Sequence, residues 1–342
     1  MSVKPAKYKD CFIGNDDCSS EILAAHILSM KATMSLVHGP DQKNQRKVVL
    51  IGHNYGLFEW EPKEVGWKSA STHHCFCGKH DNKLFEPIEN DNIFDPKNIE
   101  HLFLQSLRSF AVTYYKKKIE LKPYHDLLDF EETLDQFKFL YCDPDRTEKV
   151  SDWRARINLQ FWAYEKTRKE LLEILDTKAY SKMQYITRVL DYKLPFASAG
   201  SLIAENVDPL GAQSTFVYYD NKQPVVRKPA LILTVMPVKT KQTIIVLAGL
   251  KSDFNTQFEL KKYRECSVLD FEKAISKLML TANKENTFFN PQLWYIMKHN
   301  NLDGIIKKEI NSDRGLDLAS GTLQLSAINL FNAGFSCRNL GI

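Results

Sequence analysis

The stretch from Thr72 to Asp81, Thr-His-His-Cys-Phe-Cys-Gly-Lys-His-Asp, sets two cysteines, three histidines and an aspartate within ten positions and then runs into the amphipathic segment Asn82-Lys83-Leu84-Phe85. Cys77-x2-His80 has the spacing by which one tight turn and a helix start present two ligands to a tetrahedral zinc ion. A structural zinc takes four ligands, so a second pair must come from elsewhere. The comparable pair is Cys11 and Cys18, with the turn-forming Gly14-Asn15-Asp16-Asp17 between them. A fold that joins these pairs must bring the two ends of the first ninety residues together. The predicted ligand set is Cys11, Cys18, Cys77 and His80. Cys75 is an alternative to Cys77, and His26, His73 and His74 are further candidates for the shell.

The other cysteines fit this reading. Seven is an odd number for a disulfide framework, and cysteines in a reducing compartment read as metal ligands or buried thiols. Cys142, Cys266 and Cys337 have no ligand-type neighbours and read as core or incidental residues. The N-terminus, MSVKPAKYKDCF, has no apolar region of the kind that marks a secretory signal. No apolar run approaches the roughly 20 residues that span a bilayer, so a cytoplasmic location away from membranes is expected. A net charge of +4 on 342 residues is too mild to establish a nucleic-acid partner, although Lys116-Lys117-Lys118 forms a local basic run.

An α+β fold in three stretches is expected. Residues 1–95 form the metal module. Within it, Ile22, Leu23, His26, Ile27 and Met30 recur at helical spacing, which predicts a helix from Glu21 to about Val37 with His26 on its apolar face. Such a histidine reads equally as a buried, hydrogen-bonded side chain or as a functional imidazole. Val48-Val49-Leu50-Ile51 reads as a strand leading into a hairpin. Residues 83–89 read as a helix that Pro87 ends or kinks.

Residues 96–193 read as a helical region. One helix is marked by Ile99, Leu102, Phe103, Leu107, Phe110 and Tyr114, a second covers about 127–141, and a third runs from Ser151 to Asp191. The apolar spacing of Trp153, Ile157, Phe161, Tyr164, Leu171 and Leu175 suits packing along another helix. This region would carry any protein partner or homo-oligomer contact. Residues 194–342 read as antiparallel strands plus helices. Ala197 to Ser201 reads as a loop of small residues, and Thr215–Tyr219 as a strand. Leu231–Met236 and Thr243–Ala248 read as a hairpin. Helices follow at 268–281 and 291–308, with Trp294 and Tyr295 as core anchors, and the tail after Ser312 reads as loosely held.

A cysteine pair, then His26-Ile27, then Cys77-x2-His80 opening a helix resembles the treble-clef module of HNH endonucleases, over residues 11–90. The whole chain also resembles an uncharacterised bacterial family in which Cys…Cys…Ala-His precedes Phe76-Cys77-Gly78-Lys79-His80-Asp81, which implies no activity. The HNH resemblance implies a structural Zn2+, a general base at His26 and a divalent-cation ligand at Asp81, binding Mg2+ or Mn2+. The cleaved partner would be DNA or RNA, in a bacterial defence role. A carboxylate suits a hard cation, and an imidazole near neutrality can deprotonate a water beside a phosphate. The sequence departs from that pattern at Ala25, where an acid or histidine is usual, and in the length of the His26–Cys77 segment. A non-catalytic protein stapled by the same zinc, which binds nucleic acid, a nucleotide or a protein, is the alternative. No phosphate-binding loop, dinucleotide fingerprint or nucleophile elbow is present.

Overall fold

The computed structural model describes residues 10–19, 21–29, 33–38, 46–54, 59–89, 94–128, 150–203, 217–220, 223–226, 230–281, 283–311 and 325–332. The N-terminal elements are β1 (Ile22–His26), the single turn α1 (Ser35–Val37), β2 (Lys47–Asn54), β3 (Glu59–Gly66), α2 (Trp67–Ala70), β4 (Thr72–Cys77) and α3 (Gly78–Phe85). Two long helices follow, α4 (Ile99–Leu128) and α5 (Val150–Thr177). The rest comprises β5 (Met183–Leu190), β6 (Phe196–Ile203), β7 (Val217–Asp220), β8 (Gln223–Val226), β9 (Ala230–Pro237), β10 (Thr243–Leu250), α6 (Phe254–Glu265), α7 (Val268–Leu280), β11 (Thr287–Phe289), α8 (Pro291–His299) and α9 (Asp303–Ile310).

β9 and β10 form the predicted hairpin, and every residue of both strands is buried. A strand that is apolar at consecutive positions needs cover on both faces, and here it has it. On one face Ile232, Met236, Ile244 and Val246 join α4 and α5 through Leu107, Phe110, Leu171 and Ile174. On the other, Leu231, Leu233, Val235, Ile245 and Leu247 join α6 to α9 through Leu260, Phe271, Leu278, Leu293 and Ile306. The result is an antiparallel sheet, ordered β3-β2-β11-β6-β9-β10-β5, between two helical layers. Its seven strands come from all three stretches of the chain (1–95, 96–193 and 194–342). The metal-module strand pair, β1 with β4, is a separate antiparallel ribbon that packs on the α4 side.

The structure departs from the sequence-based expectations at several elements. Residues 22–26 are a strand, not a helix. The short run Ile-Leu-Ala-Ala-His pairs with β4, and that pairing overrides the helical preference of its alanines. The third helix ends at Thr177, and 183–190 is the edge strand β5, hydrogen-bonded to β10. Ala197 to Ser201 is a central strand, not a loop. Its alanines are small because α4 lies directly over them. Residues 291–308 split into α8 and α9 at Asn300–Leu302, where Asn301 takes a positive φ of 57°. Trp294 packs against the second core as expected, but Tyr295 stands outside it, 61% exposed. Ile328, Leu330 and Phe331, in the tail expected to be loose, are buried. α6 had no sequence counterpart. The helix expected at 127–141 lies outside the described residues beyond Leu128, as do Cys142, Cys337 and the first two residues of the 215–219 strand. No helix among the described residues is long and apolar enough to cross a membrane.

Candidate metal centre

β1 and β4 run antiparallel, with Ile22 opposite Cys77 and His26 opposite Thr72. β4 ends at Cys77, and α3 begins one residue later. That strand-to-helix junction places Cys77 and His80 on one side of a single turn. The loop of residues 11–18 lies against it. Phe12 N–H donates to the Cys75 carbonyl at 2.7 Å, and Gly78 N–H donates to the Glu21 carbonyl at 3.1 Å. Gly14, at φ 65°, turns this loop back on itself.

Cys11, Cys18, Cys77 and His80 bring their ligand atoms within 4.8 Å of one another. The His80 Nδ1 lies 3.2 Å from the Cys77 Sγ and 3.5 Å from both the Cys11 and Cys18 Sγ. These four side chains can hold a metal ion. Among the described residues they are the one group of three or more His, Cys, Asp or Glu side chains drawn so close. The thiols are unevenly tuned. Burial pushes Cys11 up to about 11, against backbone N–H groups of Cys77, Ile13 and Gly14. At Cys77 burial acts in the same upward direction, but the His80 N–H and the Ser19 hydroxyl and N–H outweigh it and bring the thiol to about 6. The Cys77 N–H also donates to the Cys11 Sγ at 3.4 Å.

The alternative ligands stay outside this group. Cys75 is buried in the core beneath the β1–β4 pair, and desolvation drives its thiol strongly upward, so it remains a protonated core residue. His74 is exposed. The Nε2 of His73 is enclosed without a partner, and desolvation holds this imidazole well below its usual range. His26 is half-buried, and its Nδ1 lies 3.1 Å from the Ser71 Oγ. Desolvation, then the Arg108 charge, lowers its affinity for a proton.

Asp81 meets a residue that the sequence reading passed over. Arg108, on the buried face of α4 and 2% exposed, lies 3.5 Å from the Asp81 carboxylate and 2.6 Å from that of Glu89. Its guanidinium also covers the Phe85 ring at 3.9 Å. Desolvation raises the Asp81 carboxyl above its usual range, and Arg108 opposes that rise. A second arginine missed from sequence is Arg168 on α5. It donates to the Phe12 carbonyl at 2.6 and 2.8 Å and to the Ile13 carbonyl at 3.1 Å, clasping the Cys11 loop from outside. For Arg108 the local signal is weak, since it shares the buried face of α4 with the polar Gln105 and Ser109 as well as with Leu104 and Ala111. For Arg168, one of many charges on a long helix, there was none. Comparison with family models, curated proteins and solved structures finds no match for the chain.

Proposed function

We propose that residues 11–89 form a treble-clef-like module stapled by a structural zinc ion, and that the chain is a non-catalytic binding protein built around it. The observation that carries this reading is the closed Cys3His set. Thiolates at about 2.3 Å and an imidazole nitrogen at about 2.05 Å from a tetrahedral zinc stand about 3.6 Å apart. The three sulfur-to-Nδ1 distances, 3.2–3.5 Å, match that edge. Four protein ligands leave no position for water or substrate, which is the pattern of structural rather than catalytic sites. Bound zinc would supply folding energy to a two-stranded pair and helix whose own core is small.

Arg108 argues against a catalytic cation at Asp81, since a divalent ion there would sit beside a buried guanidinium of like charge. Metal analysis of the purified protein tests the reading. One zinc per chain is expected in the wild type and in Asp81→Asn, and little or none in Cys77→Ser. Wild-type protein without zinc would remove it.

One observation favours the HNH-like nuclease as a second reading. His26 lies on a strand paired with β4, its imidazole held neutral by burial, and Asp81 follows the last ligand on α3. Cleavage of nucleic acid that needs Mg2+ or Mn2+ and is lost in both His26→Ala and Asp81→Ala, with zinc retained, would establish it in place of the first.

A further inference from the structure

α8 and α9 pack inward through Leu293, Met297, Ile306 and Ile310. The turn between them is closed by Leu302 N–H to the Met297 carbonyl at 2.9 Å, with Asn301 in the left-handed conformation. The outward residues of the pair are Tyr295, Lys298, His299, Ile305, Lys307 and Lys308, all exposed. Among the described residues no carboxylate lies within 4.0 Å of any of these three lysines, whereas lysines such as Lys47, Lys63, Lys116 and Lys182 each have one. The acids of the two helices are turned away or set at the edge. Glu309 is buried against Lys277 at 3.1 Å, and Asp303 is half-buried at the start of α9. Tyr295 carries the His299 ring on one side, with centroids 3.9 Å apart, and remains 61% exposed.

A tyrosine that is 61% exposed and covered on one side by the His299 ring, on a surface whose lysines have no carboxylate partner among the described residues, contributes little to this core. That surface has the composition of those on which bases stack while cations follow the phosphates. We propose that the outward face of α8 and α9 binds single-stranded nucleic acid, with Tyr295 as the stacking platform and Lys298, Lys307 and Lys308 as phosphate contacts. This rests on the reading of the chain as a binding protein and names its partner class. Charge complementarity selects a polyanion, and the tyrosine ring, open on the side away from His299, selects unpaired bases over a duplex, whose bases are already stacked.

Fluorescence anisotropy of the full chain tests this with labelled oligothymidine, oligouridine and duplex DNA, each of about 20 units, enough to exceed a typical site size. The wild type is expected to prefer the single strands, with affinity that falls as salt rises. Replacing Lys298, Lys307 and Lys308 together by alanine should flatten the log–log salt slope by about 2, at ~0.7 per phosphate contact on a single strand. Tyr295→Ala should weaken binding by about tenfold without changing the slope. The same triple replacement at exposed Lys97, Lys239 and Lys251 should change neither. Absence of single-strand binding, equal binding by all variants, or a duplex preference indifferent to Tyr295→Ala would overturn the proposal. Zinc content measured on the same preparations reports on the metal centre separately. Wild-type protein that lacks zinc yet binds single strands through this face would remove the first reading and leave this one.

Discussion

Asp81 follows a proposed zinc ligand on the same helix, yet its carboxylate is held by Arg108. Removing one member of a buried ion pair strands its partner's charge at a cost of about 3–5 kcal/mol, while an apolar replacement of the whole set is often nearly neutral. Arg108→Met should therefore lower the stability measured in urea by roughly that amount, because Asp81 and Glu89 are both left unpaired. The triple variant Arg108→Met, Asp81→Asn, Glu89→Gln should recover most of the loss. Equal stability of Arg108→Met and wild type would show that the guanidinium is not the partner the geometry makes it. The histidines add a pH dependence whose sign follows from burial. His26 and His73 both bind protons less readily in the folded chain than at the ordinary value of 6.5. Their contribution is complete above 6.5 and is lost as the pH falls below it, because the unfolded chain takes up protons that the folded chain refuses. Each group can take away at most about 1.4 kcal/mol per pH unit over that window. Unfolding midpoints measured from pH 7.5 to 5.5 should fall less steeply in His73→Phe than in the wild type.

At the scale of elements, β10 meets α6 at Gly249. A Cβ there would lie 2.1 Å from the Thr256 Cγ2 and 3.2 Å from the Ala230 carbonyl oxygen. Thr256 cannot swing aside freely, since its hydroxyl donates to Asp253 at 2.7 Å and accepts from the Ala230 N–H at 2.9 Å. Gly249→Ala should cost about 1–3 kcal/mol in urea unfolding, the usual range for forced overpacking, and a neutral effect would mean that α6 sits farther from the sheet. What the sequence shows of this architecture depends on how much of each signal is local. The ligands could be paired from spacing and residue type, because so few side chains suit zinc. β9 and β10 were legible as continuous apolar runs. β1 and β6 were not, because their alanines and small residues acquire strand character only from distant partners, β4 in one case and β9 with α4 in the other. Arg108 follows the same rule. Its role comes from Asp81 on α3 and Glu89 beyond it, which reach it only when the segment of residues 78–89 docks on α4.

At the scale of the molecule, the proposed zinc site would do more than hold β1 and β4 together, because its loop is also gripped by the helical layer. Arg168 reaches from α5 to the Phe12 and Ile13 carbonyls, and Phe12 packs edge-on against Phe76, Phe110 and Tyr114. Phe12 thus sits between the candidate metal ligands and α4, while the strands β9 and β10 are buried on both faces. Removal of a bound zinc would leave three thiols and an imidazole without a common partner, and the loop of residues 11–18 would then rely on the Arg168 and Phe12 contacts and the Asp17–Lys79 pair. A strong chelator should therefore raise amide exchange first in residues 11–28 and 72–85. Exchange should rise next along the part of α5 near Arg168, while β9 and β10 keep their protection, as expected of a local opening rather than global unfolding. Arg168→Ala should reproduce the weaker half of that pattern with zinc still bound, since it removes charged hydrogen bonds worth about 1.5–3 kcal/mol each from one side of the loop only. Hydrogen exchange read by mass spectrometry distinguishes the cases. Uniform deprotection of the sheet on chelation would make the metal a requirement of the whole fold, and no change in any segment would mean that the four ligands hold nothing.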